Sequence, residues 1–307
     1  MTYSKEASGP SAPHTGEEAA AGRGLSSLNA RLADLGPRLG SAAGLIAIAV
    51  ISWWLGGIVF FFVWLVAALV VHFEWQRIVG GERLTARLAL GSVTLVAAAI
   101  AVRSQIPALG VFILLVMALV VGQLGGPGRR AWFGGGLIYA GGLIIAVLTL
   151  RSSFPFGRWA VGLLFAIVWG TDAAAYFAGR LIGGPKFMPL ISPSKTWSGT
   201  GVGIVTGALV GLGFLAVAAR FSQFDAIAPS FALLLLGLIL AAVSQLGDLF
   251  ESWMKRCFGA KDSGHLIPGH GGLMDRVDGF IATAVFAAIL GVLRAFPSPA
   301  EGLFHWM

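Results

Sequence analysis

Long apolar runs recur along most of this chain and limit the folds it can adopt more than any other feature. The run FALLLLGLILAAV is one example. About 20 apolar residues are enough for a helix to cross the ~30 Å hydrocarbon core of a bilayer. Because that core holds no water, backbone N–H and C=O groups must pair with each other, so spans of this length are helices. The sequence therefore predicts an all-α polytopic integral membrane protein, and the small share of charged residues, 11%, argues against a soluble one.

The apolar runs predict nine transmembrane helices, with boundaries defined to within a few residues. They fall near residues 40–55, 57–75, 86–102, 105–123, 131–150, 159–181, 198–219, 229–253 and 277–296. The first two are separated only by Trp54-Leu55-Gly56-Gly57. We divide them into an N-terminal transmembrane region, residues 39–150, and a C-terminal region, residues 151–307, which carries most of the polar residues.

Residues 1–38 differ from the rest of the chain. They are rich in Gly, Ala, Ser, Pro and Glu, a composition that cannot build a core and that predicts disorder. Leucines at helical spacing follow, from Leu28 to Leu39. This segment ends either in a short helix in the membrane interface or in a plain lead-in to the first span.

The Lys and Arg residues are distributed unevenly between the two sides of the membrane. With nine spans, most of the 21 lie in the N-terminal segment and in the loops after spans 2, 4, 6 and 8. The other side holds only Arg103, Arg151, Arg158, Arg220 and Arg294. Cations concentrate on the cytoplasmic side of membrane proteins, so the sequence predicts a cytoplasmic N-terminus and cytoplasmic polar loops. The net charge of +7 is then explained by topology and not by nucleic-acid binding.

The segment Ser252–Gly279 is the most polar part of the C-terminal region. Its charged and histidine residues include Lys255, Arg256, Lys261, Asp262, His265, His270, Asp275, Arg276 and Asp278. Clustered carboxylates indicate a divalent cation, and clustered cations indicate phosphate. The pattern predicts chemistry on a phosphate ester at the membrane surface. The single cysteine, Cys257, excludes an internal disulfide and argues against a zinc–thiolate site.

Two further polar groups fall on the same predicted side. Asp172 lies deep in an apolar helix, where a carboxylate costs about 2.5–3.5 kcal/mol and needs a partner. That partner is either a metal, a water-filled cavity or Arg180 on the same helix face. The loop ISPSKTW places hydroxyls and the Lys195 ammonium beside a helix start, an arrangement that suits an anion. Serine at such a place is also a common helix cap.

Three more carboxylates complete the candidate metal site. Asp248 directly follows an apolar run, whereas Glu251 and Lys255 are spaced as a local ion pair. Asp275 and Asp278 share a face at the start of the last span. A magnesium site needs one or two carboxylates, with phosphate oxygens and waters completing it. His270, in a glycine-rich turn, either donates to a phosphate or orders that turn.

These motifs resemble the signature of the phosphatidate cytidylyltransferase family, the CDP-diacylglycerol synthases. The signature spans residues 252–278 and comprises Ser252, Lys255, Arg256, Lys261, Asp262, Gly264, Ile267 to Gly272, Asp275, Arg276 and Asp278. The upstream SPSKTW is similar to the family's S-P-K-K-T-W-E-G segment, with Ser194 in place of a lysine and Ser198 in place of the glutamate. The resemblance covers about the last half of the chain in detail.

The resemblance implies Mg²⁺-dependent transfer of CMP from CTP to phosphatidic acid, with release of pyrophosphate. It implies phospholipid biosynthesis at a bacterial inner membrane, with the active site facing the cytoplasm. Candidate catalytic residues are then Asp248, Asp275, Lys255 and Arg276. Candidate metal ligands are Asp248, Asp275, Asp278 and Asp172, with a second cation left open. Candidate substrate contacts are Ser192, Ser194, Lys195, Thr196, Arg256, Lys261, Asp262, His270, Gly271 and Gly272. A homodimer in the bilayer stays open.

The residues alone leave three other classes of function open. A CTP-dependent lipid kinase acting on a polyprenol-type alcohol would release CDP and form no CDP-lipid. An ion-coupled secondary transporter could use intramembrane carboxylates, although the chain shows no evident inverted repeat. A non-catalytic membrane scaffold would leave the clustered Asp, Lys and Gly residues without a purpose.

Overall fold

The protein is a bundle of α-helices, and this confirms the predicted class. The structure is a computed structural model that describes residues 40–126, 128–222, 225–267, 271–294 and 296–306. The predicted disordered segment, residues 1–38, lies outside them. The long helices are α1 (Gly40–Leu55), α2 (Gly57–Val79), α3 (Leu84–Arg103), α4 (Pro107–Gln123), α5 (Arg130–Ser152), α6 (Gly157–Leu181), α7 (Trp197–Phe221), α8 (Phe231–Cys257) and α9 (Met274–Leu293).

Each predicted span corresponds to one of these helices. Within the described ranges, seven are long and apolar enough to cross a membrane, whereas α1 and α4 are apolar but shorter. The break predicted between the first two spans is present, because Gly56 has a positive φ of 63° between α1 and α2. A short helix, α10 (Pro299–Phe304), packs against α9 after the last span.

Helix α5 is the centre of the bundle and is buried along most of its length. It contacts α2, α3, α4, α6 and α9. The remaining helices approach closely at glycines, as expected for packing in lipid. On α7, for example, a Cβ at Gly203 would lie 2.9 Å from the backbone oxygen of Thr171 on α6.

A two-stranded antiparallel hairpin separates α6 from α7, where the sequence predicted only a loop. Its strands are β1 (Lys186–Met188) and β2 (Ser192–Thr196), with Lys186 opposite Thr196. The ring of Phe187 packs edge-on against Trp197, with centroids 4.5 Å apart, and ties the hairpin to the start of α7. Within the described residues this is the whole of the β-sheet. The hairpin lies at the end of the bundle where α6 and α8 end and α7 and α9 begin.

Candidate active site

A cavity of about 1170 Å³ opens at the end of the bundle that carries the hairpin. Its polar part is lined by side chains of α6, the hairpin, α8 and α9, among them Asp172, Lys186, Ser192, Ser194, Lys195, Thr196, Asp248, Lys255, Asp275, Arg276 and Asp278. Its apolar part is lined mainly by α1 and α2, including Leu45, Ile46, Phe62, Val63 and Val66. Segments far apart in sequence, residues 172–200 and 245–280, thus meet in one cavity.

Lys195 and Asp248 form an ion pair across the cavity. The Lys195 Nζ lies 2.9 Å from an Oδ of Asp248 and 3.3 Å from both the backbone oxygen and the side-chain oxygen of Gln245. Both side chains of the ion pair are largely buried, with 17% and 22% of their surface exposed. The pair therefore joins strand β2 to helix α8 and leaves both groups at the cavity wall.

The Asp248 carboxylate also faces Asp278 on α9. The two helices cross closely there, because Gly247 and Gly279 have no side chains between them. A Cβ added at Gly247 would lie 2.8 Å from the backbone oxygen of Asp278, and one added at Gly279 would lie 3.3 Å from an Oδ of Asp248. Asp172 lies close enough to interact electrostatically with Asp248, Lys195 and Arg276. Three carboxylates are thus gathered at the polar end.

Asp275 was predicted to bind a metal together with Asp172, Asp248 and Asp278, but its contacts differ from theirs. Its Oδ1 lies 2.6 Å from the Lys255 Nζ, and its two oxygens accept hydrogen bonds from the backbone N–H groups of Ser263 and Gly272. Lys255 is also 2.7 Å from the buried Glu251, which confirms the predicted local ion pair. These bonds fix the loop between α8 and α9 to the start of α9.

Glu74 on α2 is a buried site residue that the sequence analysis missed. Its carboxylate accepts hydrogen bonds from the Ser263 hydroxyl and from the backbone N–H groups of Leu273 and Met274, at 3.2, 2.9 and 2.7 Å. It therefore caps the first turn of α9, where free N–H groups and the helix dipole favour an anion. The signal in the sequence was an acidic residue inside the apolar run ALVVHFEW, since such residues in spans need a partner.

The contacts of Asp172 and of the loop ISPSKTW distinguish the roles that the sequence left open for them. Arg180 donates a hydrogen bond to the Tyr176 hydroxyl at 2.6 Å, and no ion pair between Asp172 and Arg180 occurs within the described ranges. Asp172 instead faces the cavity. Thr196 caps α7 by accepting a hydrogen bond from the Gly199 N–H at 3.1 Å. Ser192 and Ser194 lie on β2 and line the cavity.

The other predicted substrate contacts that the structure describes do not line the cavity. Arg256, Lys261 and Asp262 are exposed and do not contribute to the cavity wall as described. Arg256 donates a hydrogen bond to the backbone oxygen of Ala260. Gly271 and Gly272 belong to the loop that Asp275 fixes, and His270 lies outside the described residues.

The carboxylates do not form a complete protein cage for a metal. Over the described residues, no group of three or more His, Cys, Asp or Glu side chains lies in an arrangement that could hold an ion by itself. Any metal here would need ligands from a bound substrate or from water.

Comparison with known proteins shows the family to which this chain belongs. A model described as the cytidylyltransferase family matches residues 37–293. The chain belongs to the cytidylyltransferase family. It is therefore a nucleotidyltransferase, and the predicted family is confirmed. The match includes every described residue of the polar end of the cavity and also the apolar helices α1 and α2.

Bacterial proteins are similar to this cytidylyltransferase over different shares of its length. The phosphatidate cytidylyltransferase of Brucella suis biovar 1 (strain 1330) is 38% identical over 254 residues, which cover 82% of this chain and 91% of the relative. The protein of that name from Rickettsia felis is 42% identical over 154 residues, covering 48% of this chain and 66% of the relative. That from Rickettsia bellii is 41% identical over 140 residues, covering 46% and 61%.

Proposed function

We propose that this cytidylyltransferase transfers CMP from CTP to phosphatidic acid and produces CDP-diacylglycerol and pyrophosphate. The observation that carries the proposal is a cavity with an apolar wall and a polar end of cations and carboxylates in one continuous space. A substrate with acyl chains and a phosphate head group has the same division of polarity. The names of the Brucella and Rickettsia relatives support the same substrate.

The apolar part of the cavity is suited to the acyl chains. It is formed by side chains of α1 and α2, and α1 is exposed on much of its apolar surface, including Ile46 and Ile51. Lipid chains can therefore lie against this wall while the phosphate head reaches the polar end. Because the bilayer is as apolar as this wall, the chains can move from one to the other without exposure to water.

The polar part supplies donors for the phosphates. Lys195 and Arg276 contribute cations, and the hydroxyls of Ser192 and Ser194 add neutral donors. Charge-assisted hydrogen bonds of this kind are stronger than neutral ones. Lys195 can exchange part of its bond with Asp248 for a substrate oxygen, because an ammonium has three N–H donors.

In the proposed reaction, an oxygen of the lipid phosphate forms a bond to the α-phosphorus of CTP. The bond between the α-phosphorus and the oxygen bridging to the β-phosphorus breaks, and its electron pair leaves with pyrophosphate. No protein atom needs to bond covalently to the substrates, so positioning and charge stabilisation supply the rate enhancement. Lys195 and Arg276 bind the phosphates and align them for the reaction. Lys255, through its ion pairs with Glu251 and Asp275, holds α8 against α9.

Asp248 and Asp278, with Asp172 nearby, would hold Mg²⁺. The fit is supported by carboxylates from two helices that face each other, because carboxylate oxygens are the ligands that Mg²⁺ prefers and it commonly uses only one or two from the protein. A bound Mg²⁺ supplies neutralisation of the phosphate charge. Asp275 is already bonded to Lys255 and two backbone N–H groups, so we assign it to positioning the loop.

We expect the reaction on the cytoplasmic side of a bacterial inner membrane, in phospholipid biosynthesis. CTP is a cytoplasmic nucleotide, and the polar end of the cavity lies on the cation-rich side of the bundle. The five arginines predicted on the opposite side all lie at or near the other helix ends.

The test is a product assay on the purified protein. CTP labelled at the α-phosphorus, phosphatidic acid in mixed micelles and Mg²⁺ are incubated with the enzyme, and the lipids are separated. We expect the label to enter a lipid with release of one pyrophosphate for each lipid formed. With CTP labelled at the γ-phosphorus, label entering a lipid alcohol with release of CDP would instead establish a lipid kinase.

A further inference from the structure

A second pocket, of about 790 Å³, lies at the opposite end of the bundle from the candidate active site. Helices α3 and α5 end there, and α2 and α6 begin there. Three arginines from three helices line it: Arg103 on α3, Arg151 on α5 and Arg158 on α6. The proposed cytidylyl transfer makes no use of this pocket.

Among the residues that the structure describes, none lining this pocket supplies a counter-charge to the three guanidinium groups. No Asp or Glu is among its described lining residues. Arg103 is exposed and makes no hydrogen bond or ion pair with any residue that the structure describes. Arg158 packs over the rings of Trp54 and Trp159, at 5.4 and 4.7 Å from their centroids, and its side chain makes no hydrogen bond or ion pair within the described ranges. Each guanidinium carries five N–H donors.

Arg151 adds a buried donor to this set. One of its terminal nitrogens makes a long 3.4 Å bond to the backbone oxygen of Trp53, and its Nε is buried with no described partner. The hydroxyl of Ser222, also in the pocket lining, is likewise buried without a described partner. Unsatisfied buried donors are rare in proteins, and each one calls for a ligand or water.

The backbone N–H groups at two helix starts add partial positive charge to that of the three arginines. Helix α6 begins at Gly157 and α2 at Gly57, and neither has a side-chain cap on its first N–H groups. Both glycines line the pocket. Helix N-termini carry a partial positive charge and free N–H donors, which add to the attraction of an anion.

The surroundings resemble a membrane interface. Phe154, Phe221 and Trp54 lie at this end with 91%, 79% and 62% of their surface exposed. Aromatic residues concentrate at the level of lipid head groups, so phosphates of the adjacent leaflet come within reach of the arginines.

We propose that this pocket binds a phosphate anion, carried by an anionic lipid of the leaflet opposite the active site or free in solution. A phosphate offers several acceptor oxygens to the donors of Arg103, Arg151 and Arg158 and neutralises their mutual repulsion. The bound anion would fasten α3, α5 and α6 together at this end.

The experiment measures binding to the full-length protein in neutral detergent by native mass spectrometry and thermal unfolding. The probes are phosphatidylglycerol and, separately, inorganic phosphate. The test variant is Arg103→Gln combined with Arg158→Gln. The matched control is Arg220→Gln, which removes an exposed arginine at the same end of the bundle but outside the pocket. We expect the double variant to lose affinity by about tenfold for each arginine and the control to stay within about twofold of wild type.

The two probes distinguish the sources of the anion. Binding of phosphatidylglycerol that depends on the two arginines, with no binding of inorganic phosphate, assigns a lipid. Arginine-dependent binding of inorganic phosphate assigns a soluble anion. Equal affinities of wild type, double variant and control for both probes would overturn the proposal. Should the double variant not fold, Arg103→Gln alone decides, because that side chain makes no hydrogen bond or ion pair within the described protein.

Discussion

The charged side chains at the polar end of the cavity have two distinct kinds of role. Glu74, Glu251, Lys255 and Asp275 are bonded mainly to one another or to backbone N–H groups of the loop before α9. Lys195 and Asp248, with Asp172 and Asp278 nearby, line open space. We therefore expect substitutions in the first set to lower stability, with any loss of activity following from it, and those in the second to lower turnover at unchanged stability.

Replacing Glu74 with Gln tests the first kind of role. The Gln amide would place an NH₂ group against backbone N–H donors that now bond to a carboxylate. We expect the free energy of unfolding to fall by about 2–3 kcal/mol. Thermal unfolding in detergent measures this, with Glu82→Gln as control because Glu82 is exposed near the same end of α2. Equal unfolding midpoints for the two variants would contradict the capping role.

Asp275→Asn is expected to lower stability and activity together. The change removes the ion pair with Lys255 and leaves Glu251 as the remaining carboxylate bonded to that lysine. Removing one partner of a buried pair costs about 3–5 kcal/mol. Thermal unfolding and the product assay are measured on the same preparation, and the exposed Glu82 provides the control Glu82→Gln. Lost activity with an unchanged midpoint would argue that Asp275 acts directly on substrate.

At the scale of the helices, the site depends on the close crossing of α8 and α9. Gly247→Ala would place a methyl group 2.7 Å from the Cβ of Ala282 and 2.8 Å from the Asp278 backbone oxygen. We expect the helices to separate, Asp248 and Asp278 to move apart and turnover to fall by at least about tenfold. The control is Gly213→Ala on α7, where a Cβ meets nothing within 4 Å. There the gain in helix propensity, up to about 1 kcal/mol, should leave stability equal or higher.

The helices could be predicted from the sequence, but the contacts between distant segments at the site could not. Apolar runs set the spans directly, because length and hydropathy are local properties. The hairpin was missed because SPSKT has no alternating pattern and is held by a contact between Phe187 and Trp197. Glu74 was missed because its partners, Leu273 and Met274, lie about 200 residues away in sequence. The resemblance identified Asp275 as important, but only its contacts separate positioning from metal binding.

At the scale of the whole molecule, the orientation in the membrane can be tested with the single cysteine. Cys257 is exposed at the end of α8, beside the candidate active site. A membrane-impermeant maleimide should label it in inverted membrane vesicles and not in intact spheroplasts. A Cys257→Ser, Ser104→Cys variant should give the reverse pattern, because Ser104 is exposed at the other end of the bundle. Labelling of Cys257 from outside would contradict a cytoplasmic active site.

The most direct measurement compares CMP transfer by wild type, Asp248→Asn and Glu82→Gln, with α-labelled CTP and phosphatidic acid. Asp248 forms an ion pair with Lys195 and faces Asp278 in the cavity, whereas Glu82 is exposed outside it. We expect labelled lipid from wild type and Glu82→Gln, and at least about a hundredfold less from an Asp248→Asn protein that keeps its unfolding midpoint, since electrostatic contributions to catalysis are commonly of this size. Full activity in folded Asp248→Asn, or no labelled lipid from wild type, would contradict the assignment of this cavity as a site of cytidylyl transfer.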